Sequence, residues 1–221
     1  MYLINFTPEL GIKIGVYLEL LAAFVATFTF YKYKSSAVKF ILPYLWYTFL
    51  NEKIARYYYD HINHTNNNIF YNIYDVITAV FIYYVYSKSI KKSTHKKGIQ
   101  FLFFTYLISV IINSFYFSFI NITLEIPSFF SVVLIVSCVC LYLFEILNSD
   151  KIIIINKLIM FWLSMGLLLY YLPIIPFQLV SKYYRDSSSI SNIFYINVFI
   201  ASLFYLILIT GFICSGKNQK D

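Results

Sequence analysis

Pro127-Ser-Phe-Phe-Ser-Val-Val-Leu-Ile-Val-Ser-Cys-Val-Cys-Leu-Tyr-Leu-Phe144 runs for eighteen residues without a charge. A helix rises about 1.5 Å per residue, so about 20 such residues cross a bilayer core of about 30 Å. Working outward in both directions, the pattern recurs. Spans are expected at 10–31, 38–59, 69–87, 99–119, 127–147, 154–180 and 192–214. Seven spans take up most of the 221 residues and leave connections of about ten residues or fewer. The expected fold is all-α: a polytopic membrane protein forming a single seven-transmembrane-helix bundle over residues 1–221.

Composition agrees. The chain is 60% hydrophobic and only 12% charged, with mean hydropathy +0.71. A soluble domain is about 45–50% apolar and about 25% charged. No room remains for a soluble kinase, nucleotide-binding or DNA-binding domain. There are 23 Tyr, 23 Phe and 2 Trp. Beside so much Ile, Asn and Lys they read as the product of an AT-rich, bacterial genome rather than as an aromatic binding cage. Cys138, Cys140 and Cys214 all lie in apolar runs; each reads as a small buried apolar residue, with no loop disulfide framework.

The net charge of +7 does not point to nucleic acid, because the bases sit in the connections between spans. One set of connections holds Lys32, Lys34, Lys39, Lys88, Lys91, Lys92, Lys96, Lys97, Lys151, Lys157, Lys217 and Lys220; the other holds Lys13, Lys182 and Arg185. By the positive-inside bias the N-terminus is outside and the C-terminus cytoplasmic, in the cell (inner) membrane. Residues 1–13 lack the features of a cleaved signal peptide, so the first apolar run is expected to stay as a span. Pro173 and Pro176 should kink or end the sixth.

Ionisable residues inside spans are costly and mark candidate sites. Glu19, Glu52, Asp75 and Glu145 qualify. Glu19, Glu52 and Asp75, with Asn113 of the fourth span, fall at similar depths. Helical spacing sets Asn51 beside Glu52 and Asn72 beside Asp75. Glu52 and Arg56 are four apart, the favoured order for a helical ion pair. Three readings stay open, one of them a conducting pathway through the bundle. The groups neutralise one another and hold helices together, or Glu19, Asn51, Glu52, Asn72, Asp75 and Asn113, with Arg56 as counter-charge, line an outer-half pocket for a small polar ligand. Gly15, Ala22, Ala23 and Ala26 share the face of Glu19 and would let a neighbouring helix approach closely.

Glu145 and Asn148 are polar groups near the cytoplasmic end of the fifth span, and Ser149 or Asp150 is expected to cap the next helix. His61 and His64, in Asp60-His61-Ile-Asn-His64, could ligate a metal, but an Asn-rich solvated loop is the preferred reading, so no metal is expected. His95 has no evident partner. Lys88, Lys91, Lys92, Lys96 and Lys97 serve as an orientation signal and could bind anionic lipid headgroups or dock a membrane or cytoplasmic protein. The seventh span holds no Lys, so no retinal Schiff base forms at the usual rhodopsin position and no cofactor is expected. Nothing matches His-Glu-x-x-His, Gly-x-Ser-x-Gly or a P-loop, so an enzyme is not expected.

Two stretches, Leu42-Pro-Tyr-Leu-Trp-Tyr-Thr-Phe-Leu-Asn-Glu-Lys53 and Tyr142-Leu-Phe-Glu-Ile-Leu-Asn-Ser-Asp-Lys151, together with the layout, carry a resemblance. The chain resembles the seven-helix sensor regions of bacterial histidine kinases and free-standing seven-pass membrane proteins of AT-rich bacteria. The resemblance implies a signal-receiving module. Since no catalytic domain precedes Asp221, its output would pass through a separate partner. The expected function is a receptor- or sensor-type subunit. The alternatives are a small-solute transporter and a structural or assembly subunit of a membrane complex.

Overall fold

A computed structural model describes residues 8–181 and 187–216. Its long helices are α1 (Pro8–Thr29), α2 (Ile41–His61), α3 (Asn68–Ser89), α4 (Ser93–Tyr116), α5 (Glu125–Leu147), α6 (Ile159–Ser181) and α7 (Ser187–Cys214). No strand occurs among the described residues. Five helical stretches are long and apolar enough to cross a membrane: Leu10–Lys32, α3, α4, α5 and Tyr195–Cys214. A sixth is added if Asp150–Lys157 and Ile159–Ile174, bent by 77°, count as one span. Helix α2 falls short because Glu52, Lys53 and Arg56 crowd its middle. The exterior is apolar, with Phe28, Phe115 and Ile153 more than three-quarters exposed, as a lipid-facing surface requires.

Helices α1, α2, α3, α5, α6 and α7 close into a ring in that order, α7 returning to α1. Helix α4 packs outside the ring, against α3 and α5. Lipid tails are as apolar as leucine, so helices here associate through close packing and interhelical hydrogen bonds rather than transfer from water. Ala22, Ala23 and Ala26 are fully buried and give α1 its close packing, but Gly15 has nothing near it. The tightest approach is instead at Gly211 of α7, where a Cβ would collide with Cβ and Cγ of Trp162 on α6. Across the ring, the Tyr86 and Ser164 hydroxyls share a buried hydrogen bond of 2.7 Å.

The ring closes at the Lys-rich end. Lys32 Nζ donates to the Phe212 and Ile213 carbonyls at 2.9 and 2.8 Å, capping α7. Beside it, Tyr33 is fully buried and donates to the Ala26 carbonyl at 2.7 Å. Burial pushes its phenol above the usual range, so it remains a neutral donor at physiological pH.

Several expectations are corrected. Helix α4 begins at Ser93, ahead of the span expected from 99, and a carboxylate from α5 holds the Lys91 and Lys92 backbone that leads into it. The sixth element neither starts as α-helix at 154 nor ends at its prolines. Residues Asp150–Lys157 form 3-10 turns, Leu158 is extended, and the helical backbone then runs from Ile159 past Pro173 and Pro176 to Ser181. Trp162 Nε1 holds the corner by donating to the Asn156 carbonyl at 2.8 Å. Ser149 sits at the cap position, yet its hydroxyl donates back to the Ile146 carbonyl at 2.9 Å. Cys138 is buried, whereas Cys140 and Cys214 face outward.

Candidate functional site

Inside the ring lies a cavity of about 210 Å³. Helix α1 contributes Glu19, and α2 contributes Tyr44, Thr48, Asn51 and Glu52. These four α2 positions lie three or four residues apart, apart from the adjacent pair, and so share one face. Helix α3 adds Tyr71 and Tyr74, its first two turns descending into the ring. The far wall is Leu167, Tyr170 and Tyr171 of α6 with Ala201, Phe204 and Tyr205 of α7.

Glu19 stands at the twelfth position of the 22-residue α1. Tyr205 donates its hydroxyl proton to Glu19 Oε1 at 3.0 Å. The second carboxylate oxygen, Oε2, is shut off from solvent and has no hydrogen-bond partner. Asn51 is buried and donates to the Phe70 carbonyl at 3.4 Å, joining α2 to the start of α3. Tyr44 stacks on Phe81 with ring centroids 4.3 Å apart, and its hydroxyl meets those of Tyr74 and Thr78 at 3.2 and 3.0 Å. The aromatic wall is therefore held from behind.

Three of the sequence candidates, Glu19, Asn51 and Glu52, thus share one cavity. Asp75, Asn72, Asn113 and Arg56 are not among its lining residues. Asp75 looks the other way, towards α4, and accepts from the Tyr106 hydroxyl at 3.1 Å. Asn113 is buried on α4, outside the ring. The Asn72 amide is fully committed: Nδ2 donates to the Phe119 and Ile122 carbonyls at 2.7 and 2.8 Å, and Oδ1 accepts from Leu124 N–H at 3.2 Å. One turn earlier, Asn68 bonds the Asn121 carbonyl and the Thr123 hydroxyl. These two amides clamp the α4–α5 connection onto α3.

The expected Glu52–Arg56 ion pair does not form. The ion pair of His95 with Glu145 lies elsewhere, and Glu52 turns into the cavity while Arg56 stays outside it. Glu52→Ala and Arg56→Ala should therefore have additive effects on thermal stability, within about 0.5 kcal/mol. A double variant more stable than Arg56→Ala alone would restore the pair.

That ion pair corrects the reading of His95, whose Nδ1 lies 2.7 Å from Glu145 Oε1. Glu145 also accepts the Lys91 and Lys92 backbone N–H groups at 2.7 and 3.1 Å. It thereby satisfies two backbone donors in the turn that leads into α4. Asn148 donates to the Phe144 carbonyl at 2.7 Å in its own helix. Glu145→Ala should cost about 1–3 kcal/mol, read as faster amide exchange at Lys91 and Lys92. His61 stacks on Tyr57 at 4.5 Å, with Nδ1 3.2 Å from the Tyr57 carbonyl. Among the described residues no group of three or more His, Cys, Asp or Glu side chains converges as a metal site.

Sequence reasoning missed the α6 and α7 wall. Its signal was present in Tyr170, Tyr171 and Tyr205, but tyrosines are spread through every span and carry little information singly.

Comparison with protein-family models, curated proteins and solved structures yields no match.

Proposed function

We propose that this chain is a seven-span protein of the bacterial cell membrane, N-terminus outside and C-terminus cytoplasmic. It acts as a receptor- or sensor-type subunit that takes a small polar ligand into the ring cavity. A separate membrane or cytoplasmic partner carries the output. The observation that carries this reading is the cavity itself, a space of about 210 Å³ walled by five helices and furnished with two carboxylates at mid-helix. Acids at that depth are costly unless they serve packing or a site, and Glu19 leaves one oxygen without a packing partner.

Orientation rests on the lysines. Those of the α1–α2, α3–α4 and α5–α6 connections gather at one end, where Lys88, Lys91, Lys92, Lys96 and Lys97 are all exposed. That end suits the cytoplasmic leaflet and its anionic headgroups.

Native mass spectrometry of protein gently extracted from its own membrane tests the reading. The expected result is a small-molecule adduct that disappears with Glu19→Gln while the fold persists. A bare chain, identical in both forms, would leave the polar groups as helix-packing devices and end the proposal. Saturable uptake of the eluted molecule into liposomes would instead make the chain a carrier.

A further inference from the structure

We infer that the cavity is built for a small organic ammonium cation; this rests on the ligand-binding reading above and names the chemical class of the ligand. Charge comes first. Glu19 and Glu52 both line the cavity, and among the described residues no Lys, Arg or His does. The bases of α2 stand outside the wall: Lys53 is exposed, with its Nζ 5.8 Å from the Phe49 ring centre, and neither it nor Arg56 is a lining residue. Glu19 Oε2 is buried without a hydrogen-bond partner.

The walls make the second, independent observation. Seven of the thirteen described lining residues are aromatic, drawn from α2, α3, α6 and α7. Aromatic faces carry negative quadrupole charge and attract ammonium groups, more strongly where water is excluded. Carboxylates and π-faces together favour a cation and repel an anion. A sugar-like neutral solute would need many paired hydroxyls, and among the described residues, away from the carboxylates and tyrosines, Thr48 and Asn51 alone offer side-chain polar atoms. A bare calcium ion wants six to eight oxygen ligands, and magnesium a near-octahedral set; most of this wall is carbon. The volume is below the range of about 300–1,000 Å³ typical of drug-sized pockets, which suits a single-ring amine or a short quaternary ammonium.

The test uses the full chain in lipid nanodiscs and three probes of one shape: phenethylammonium, neutral 2-phenylethanol and anionic phenylacetate, titrated by calorimetry. The cation should bind at least tenfold tighter than either of the others. Glu19→Gln, which keeps the side-chain shape, should weaken the cation at least tenfold and leave the alcohol unchanged. Tyr170→Leu removes a π-face without touching a carboxylate and should weaken the cation several-fold. Equal binding of alcohol and cation, or tighter binding of phenylacetate, overturns the cation inference and leaves the ligand-binding reading intact. Binding of none of the three also overturns it; the native adduct then decides separately whether the cavity holds a ligand at all.

Discussion

Gly211→Ala should cost about 1–3 kcal/mol of stability, the usual range for adding a methyl group to a packed interface. The effect is large because the colliding atoms are Cβ and Cγ of Trp162, fixed close to the α6 backbone, rather than the far end of a side chain that could swing aside. Helices α6 and α7 would have to separate, and with them Leu167, Tyr170, Ala201 and Tyr205 on the cavity wall. Thermal unfolding in nanodiscs is the measurement. Trp162→Gly should recover part of the loss in the double variant, because it removes both colliding atoms. Trp162→Ala keeps the Cβ and should recover less. A Gly211→Ala protein as stable as the parent would mean that this interface is looser than described.

Asn72→Leu is the second large effect, expected at about 2–4 kcal/mol. The change deletes three hydrogen bonds, each worth about 1 kcal/mol, and leaves two carbonyls and an amide at the α4–α5 connection to find other partners. Asn72 is only 4% exposed, so water does not readily replace its amide. Protease cleavage or amide exchange confined to residues 117–124 would report the loss before global unfolding does. Asn72→Asp isolates the donors: it keeps the acceptor for Leu124 N–H and loses the two bonds to Phe119 and Ile122, so it should fall between. If Asn72→Leu left that connection as protected as before, the clamp would be incidental.

The long helices were legible because apolar runs report span length directly, and the observed ends fall within a few residues of expectation for most of them. Failures occurred where a partner from elsewhere in the chain decides a boundary. Glu145 holds the Lys91 and Lys92 backbone just before α4, and nothing near Ser93 announces it. Likewise Leu158 breaks the sixth element where the residues alone read as continuous, while Pro173 and Pro176, the louder local signals, do not interrupt the helix. In the site, Glu19 and Glu52 were legible because an acid in an apolar run is conspicuous. Asp75 and Asn113 were grouped with them by depth, but depth does not fix which way a helix turns. Asp75 faces Tyr106 on α4, and α4 stands outside the ring. The tyrosine wall was invisible for the opposite reason: one residue type so abundant gives no contrast against which a functional few could be seen.

The Lys32 bond to the end of α7 joins residues 180 positions apart. Because the first helix pairs with the last, the cavity is a late product of synthesis. While the ribosome is still making α4 and α5, Glu19 is already in the bilayer and Tyr205, its hydrogen-bond donor, does not yet exist. The chain must hold an unsatisfied acid among its first helices until α7 arrives and seals the ring. A nascent chain stalled before α7 would therefore own most of its helices and no enclosed cavity.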